Sequence, residues 1–225
     1  MNSFVLLASL LSSPNLSAES TQEAYKLNAK SIEDQIVVVH AILPEVEWDG
    51  VIEHIESTIG KAPLIYAKAK KTFFDMVEHR QMFPSPQYRQ CTSDLKRNPI
   101  ERELRKYLKD NPRFGGLIVN CMGMRAEESS GRAKLEPLKL NNKNSKAGRE
   151  WYDWLPIHEM LEPDVFEAIR AAEQEPHWAY EAGMSRLSCC FCIMASKSDL
   201  TTAAKLNPEL YKRYVDTEKR LNFTL

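Results

Sequence analysis

Hydrophobic positions along the chain follow two rhythms. Residues 36–41 (IVVVHA) form an unbroken, β-branched run, the pattern of a strand buried on both faces. Residues 64–67 (LIYA), 117–122 (LIVNCM, introduced by Gly115 and Gly116) and 151–157 (WYDWLPI) read as further strands. Between them the apolar spacing turns helical. Val51, Ile52, Ile55 and Ile59 share one face. Helices are also predicted over 72–78, before Pro84 and Pro86, and over 100–109, before Asn111 and Pro112. Residues 136–149 are polar and aperiodic and predict a surface loop. Beyond residue 160 only helical signals remain, at 163–172, 199–205 and 208–220.

Strands alternating with helices at this pitch predict an α/β fold, a doubly wound, mostly parallel sheet with helices on both faces. The expected organisation is an α/β domain over residues 1–160. Residues 161–225 would form a helical, cysteine-bearing extension of the same domain. The apolar stretch at residues 4–11 has no Lys or Arg before it and an eight-residue core, so it predicts a buried strand or a frayed terminus rather than a signal peptide. With clustered thiols, it makes a cytoplasmic protein with a retained N-terminus the expectation.

Composition narrows the partners. Of 225 residues, 43% are hydrophobic and 27% charged, which is globular. Thirty basic side chains face 31 acidic ones, which argues against a general nucleic-acid binder and leaves room for a local basic patch. No apolar run approaches the roughly 18 residues of a membrane helix.

Three groups carry candidate chemistry. Ligands of open α/β sheets bind beyond the carboxyl ends of the strands. His40, the segment from Gly123 to Ser129 with Arg125, Glu127 and Ser129, and Pro156, Ile157 and His158 all fall there. The second group is the basic stretch from Arg89 to Lys109. Its Arg89, Lys96 and Arg97, joined by Arg125 and Arg132, suit a phosphate or sulfate, because arginine offers a bidentate fork and lysine a point charge. The third is the pair Cys189 and Cys192 with Cys190 between them. A C-x-x-C pair closes half of a zinc or iron–sulfur site, forms a redox dithiol, or packs as plain thiols. Cys91 is the natural third ligand, with Cys190 or an outside group as the fourth. Mid-strand Cys121 reads as core.

Four ordered segments together resemble the PAPS reductase-like family of the adenine nucleotide alpha-hydrolase (PP-loop ATPase) superfamily. They are Tyr88 to Arg97 (YRQCTSDLKR) with Pro99 and Ile100, Gly123 to Ser129 (GMRAEES), Trp154 to His158 (WLPIH) and Met184 to Ile193 (MSRLSCCFCI). The fourth resembles the cysteine-bearing end of a subgroup that includes DNA-phosphorothioation sulfurtransferase-like proteins. The resemblance spans residues 35–224. It implies a doubly wound sheet binding ATP, a related adenine nucleotide or a sulfonucleotide, and either reduction of a sulfonucleotide or ATP-driven sulfur transfer. It implies that Cys91, Thr92, Lys96, Arg97, Arg125, Glu127 and Ser129 line the nucleotide and oxyanion pocket. It also implies that Cys91, Cys189 and Cys192 hold a [4Fe–4S] cluster where one is present. The family opens with a Ser-Gly-Gly-Lys-Asp-Ser loop whose backbone N–H groups approach the phosphates. Here Ser12 to Thr21 corresponds, and only Glu19-Ser20 keeps the pattern. The family's reductases carry a reactive cysteine in a C-terminal Glu-Cys-Gly-like segment, and Leu221 to Leu225 holds none. A sulfurtransferase-like or unassigned activity is therefore expected over sulfonucleotide reduction. A non-catalytic member serving as a binding or interaction module is the alternative.

Overall fold

The structure, a computed structural model, describes residues 3–6 and 32–224. The expected phosphate-loop counterpart at residues 12–21 lies outside the described residues. Six strands form one sheet in the order β3-β2-β1-β4-β6-β5. They are β1 (Ser3–Leu6), β2 (Ile36–Ile42), β3 (Leu64–Lys68), β4 (Leu117–Met122), β5 (Leu138–Leu140) and β6 (Glu150–Trp154). β2 pairs with β3 and β4 with β6 in parallel. β1 lies between β2 and β4, antiparallel to both, so β2, β3, β4 and β6 point one way. β5 closes the far edge as an antiparallel hairpin arm of β6.

The sheet is mixed α/β and mostly parallel, as expected, with two differences. The central β1 runs against its neighbours, because apolar rhythm marks a strand without giving its direction. β5 lies inside the predicted loop: a strand of three exposed residues, with Lys139 between two leucines, is too short to establish a period. The predicted final strand also stops at Trp154, and residues 155–158 turn away from the sheet.

Seven α-helices follow among the described residues: α1 (Val51–Thr58), α2 (Phe73–Arg80), α3 (Asn98–Asp110), α4 (Ser130–Ala133), α5 (Glu162–Ala171), α6 (Lys197–Leu206) and α7 (Pro208–Leu221). A π-helix at Cys91–Arg97 runs straight into α3. Ile100, Leu104 and Leu108, four apart, place one buried stripe of α3 on β2 and β3. There they meet Val37, Val39 and Ala41, alternate residues of β2 that share a face. Val38 and His40, on the other face, are buried as well, which explains the uninterrupted apolar run. Gly116 is required at the start of β4. Its φ is +88°, and a Cβ there would stand 2.3 Å from the Gly148 carbonyl oxygen.

A second core lies beyond the carboxyl ends of the strands. Leu43, Val46 and Trp48 after β2, Phe73, Phe74 and Val77 of α2, and Leu95 of the π-helix meet Met184, Cys190, Phe191, Ala203 of α6 and Tyr214 of α7. This cluster holds the cysteine-bearing segment over the sheet's functional edge. No described helix is long and apolar enough to cross a membrane.

Candidate active site

The π-helix shapes the first wall of the site. In an α-helix, residues five apart diverge by about 140°. A π-turn bonds i to i+5 and brings them to the same side. Cys91 and Lys96 therefore both reach the cleft, while Leu95 points into the core. Thr92 lines the cleft as well. Arg97 leaves it: its side chain is 58% exposed and stands 4.0 Å from Glu101.

The second wall is the turn after β4. Ala126 N–H donates to the His158 carbonyl at 2.7 Å, and the His158 ring meets the Arg132 carbonyl at 2.9 Å. His158 thus ties the end of β6 to this turn as a buried fastener. Arg125 points into the cleft, its side chain only 14% exposed, held by Glu127 and by Glu162 at 3.7 Å. Glu127 also accepts the Glu162 N–H at 2.8 Å, so it positions Arg125 and anchors α5. Ser129 caps α4, accepting the Arg132 N–H at 3.2 Å, and does not line the cleft. Arg132 pairs with Glu128.

The third wall is the segment from Ser185 to Met194, fixed by Asp199 of α6. Asp199 is buried and accepts from Ser185 N–H (2.7 Å), Ser185 O–H (2.8 Å) and Ser196 O–H (2.9 Å). Burial pushes its carboxyl up, but these hydrogen bonds outweigh it and hold the group below the usual range. Asp199→Asn is expected to cost about 2–3 kcal/mol near neutral pH, the scale of hydrogen bonds to a charged group. The depressed folded value means this stability is present above the unfolded carboxylate range and is lost as pH falls through the folded value. The gap between variant and wild type in urea unfolding therefore narrows below about pH 4. A gap constant with pH would refute the charge-based account.

Within these walls the cleft has two connected lobes. The smaller is lined by His40, Ala41, Leu43, Glu47 and Val51, and shares Lys96, Gly123, Leu187, Ser188 and Cys189 with the larger. His40 is buried there, its Nε2 2.9 Å from Glu47 Oε1. Burial pushes Glu47 up, but His40 and the Leu43 N–H outweigh it and hold the carboxyl low. His40 therefore braces the strand end through Glu47 rather than presenting an open nitrogen.

The larger lobe gathers Arg89, Arg125, Arg132 and Arg186. Burial, followed by the guanidiniums of Arg186, Arg89 and Arg125, lowers Arg132 from its ordinary value. Cations from three segments thus meet at one lobe, and only Arg125 and Arg132 among them are paired with carboxylates. Arg186 was legible only as part of the cysteine motif. His54, His177 and Tyr180 complete the wall without any signal in the sequence that could have placed them there.

Cys91, Cys189 and Cys192 line the same lobe, all half-buried. Burial raises the Cys91 thiol and neighbouring Cys189 adds to this, while Lys96 opposes. Burial would lower the Lys96 ammonium, but the sulfurs of Cys189, Cys192 and Cys91 outweigh it and raise it. Cys190 sits in the core instead, with its N–H donating to the Val46 carbonyl at 2.9 Å and its thiol pushed up to about 12 by burial and Cys189. Cys121, expected in the core, is half-buried on β4. Among the described residues, no three of His, Cys, Asp and Glu converge as ligands of a single metal ion.

The geometry joins an anion-binding rim to a set of sulfur atoms, and comparison with known proteins gives it a family. The model of the phosphoadenosine phosphosulfate reductase domain matches residues 19–195. The chain belongs to that family. Its members bind adenine nucleotides and sulfonucleotides. Two relatives are similar to it and are themselves uncharacterised. A 37.8 kDa protein of Escherichia phage 186 is 29% identical over 167 residues, 74% of this chain and 48% of the phage protein. A protein of Methanocaldococcus jannaschii is 25% identical over 198 residues, 88% of this chain and 45% of the archaeal protein. The chain of this phosphoadenosine phosphosulfate reductase family member thus spans about half the length of these relatives.

Proposed function

We propose that this protein binds an adenine nucleotide or sulfonucleotide in the two-lobed cleft and carries out sulfur chemistry there, as a sulfurtransferase or a reductase. One observation carries the reading: Arg89, Arg125, Arg132 and Arg186 surround the same lobe that Cys91, Cys189 and Cys192 line. The arginines hold and orient a phosphate or sulfate group, and Lys96 supplies a cation beside the sulfurs. Sulfur transfer and sulfonucleotide reduction both need this arrangement, an activated anionic ester fixed against sulfur.

The residues fit an iron–sulfur cluster in donor chemistry. Three thiols share the lobe. Cys91, Cys189 and Cys192 would hold the cluster, with an outside group as the fourth ligand, since Cys190 lies in the core. Cluster ligands bind different irons, so they need not converge on one point. When bound, a cluster supplies an electron store and cross-links the segment. The chain's own part is to seat three thiolates beside Lys96 and exclude water through the core behind them.

Photolabelling with an 8-azido adenine nucleotide, followed by peptide mapping, tests where the nucleotide sits. Label is expected in peptides holding residues 88–97, 123–132 or 184–194, and excess ATP should remove it. Competable label confined to other peptides would place the nucleotide elsewhere.

A further inference from the structure

None of the residues of α5 is buried, yet its apolar side chains Val165, Phe166 and Ile169 share one side and all line the larger lobe. Neither apolar core includes them. α1 runs along both lobes. Its Val51 lines the smaller one, and His54 and Thr58, about one and two turns on, line the larger. The Gln174 amide donates to the Thr58 carbonyl at 3.1 Å and ties the chain after α5 to α1. Tyr180 meets Phe166 edge to face at 5.2 Å, and His177 meets His54 in the same way at 5.3 Å. Rings and aliphatic side chains therefore shape the end of the lobe between α1 and α5.

Its charge differs from that of the arginine rim. Glu162 opens α5 and stands 3.7 Å from Arg125, and Phe166 follows one turn later. Among the described residues, no Lys or Arg of α1, of α5 or of residues 174–180 lines the lobe. Glu162 is paired with Arg125, and Glu175 is exposed. Burial disfavours the charged form of His177. Walls without cations or unpaired buried carboxylates complement an uncharged ligand, and ring-lined walls complement a planar one. Nucleotides of open α/β sheets lie beyond the strand ends. The smaller lobe is there, lined by His40 and Ala41 of β2 and by Gly123 after β4. The α1–α5 end is built from helices and loop, apart from those strand ends.

Resting on the reading of the cleft as a nucleotide site, we infer that the α1–α5 end seats an uncharged, planar aromatic ring of a second substrate, the nucleotide's partner in the sulfur chemistry. Phe166, Ile169 and Tyr180 supply its contact surface. Lys96 and Cys189, common to both lobes, lie where the two ligands meet.

Indole, with cyclohexanol as the non-planar control, tests this by saturation-transfer NMR titration of the reduced full chain, with and without saturating ATP. Indole is expected to bind in both conditions and more tightly than cyclohexanol. Phe166→Ala should weaken indole about fivefold, the worth of one aromatic contact, and leave the Kd of ATP unchanged. Ile169→Lys sets a charge in the uncharged end at a half-buried helix position, and should abolish indole binding. It decides the point if Phe166→Ala fails to fold. Displacement of indole by ATP would overturn the inference, by showing that this end holds the nucleotide's own base. Equal binding of cyclohexanol, or an indole affinity unchanged by the substitutions, would overturn it too. Absence of indole binding where ATP binds removes the ring subsite and leaves the nucleotide reading. Phe166-dependent indole binding without any ATP binding removes the nucleotide reading and leaves the ring subsite.

Discussion

On the proposal that Cys91, Cys189 and Cys192 hold an iron–sulfur cluster, anaerobically reconstituted Cys192→Ala is expected to hold far less iron and sulfide than reconstituted wild type, and to lose the visible absorption band. Cys192 is one of three thiols lining the larger lobe. Cys190 is poorly placed as a substitute, because its thiol is buried in the apolar core and pushed up to about 12. A thiol must lose its proton to bind metal, and burial in apolar surroundings opposes that. Iron and sulfide assays on both proteins decide the point. Equal iron in the two would show that Cys192 is not a ligand. Iron near zero in the wild type would leave zinc or free thiols as the reading.

Replacing Arg125 by alanine is expected to weaken adenine-nucleotide binding by about 1–3 kcal/mol, roughly fivefold to a hundredfold in Kd. Arg125 is the most enclosed of the paired cations in the site, and Glu127 and Glu162 aim it into the cleft. Its loss also leaves Glu127 without its cation beside the site, which repels an anion further. Arg97→Ala serves as the control. That side chain is 58% exposed and paired with Glu101, so its removal should change binding by much less. Calorimetry on the three proteins at one salt concentration separates a specific contact from general charge.

The sequence showed the interior strands β2 and β4 well and the depth of the site poorly. The run at 36–41 became β2 because burial on both faces writes a continuous apolar signature, and the run at 117–122 became β4, buried at Leu117 and Ile118 and half-buried beyond. The direction of β1 and the presence of β5 left no such mark. Among site residues, Cys91, Lys96, Arg125, Cys189 and Cys192 were legible through their motifs, and the structure brings them to one lobe. Arg97 and Ser129 belong to the same motifs yet serve an ion pair and a helix cap. Motif membership reports the local segment, whereas only tertiary packing decides which side chains turn inward. The π-helix illustrates the gap. Its altered winding brings Cys91 and Lys96 to one side, and helical periodicity at 3.6 residues per turn would have separated them. Arg186 and Phe166 depend on contacts between segments far apart in the chain, which no local pattern encodes.

The central claim is that the cleft binds an adenine nucleotide through its arginines. Titration calorimetry of the wild-type chain with ATP and with adenosine 5′-phosphosulfate tests it most directly. Saturable binding of at least one of the two at one site per chain is predicted, weakened by rising salt and by Arg125→Ala. No saturable heat from either ligand, with the chain folded and its cysteines reduced, would contradict it.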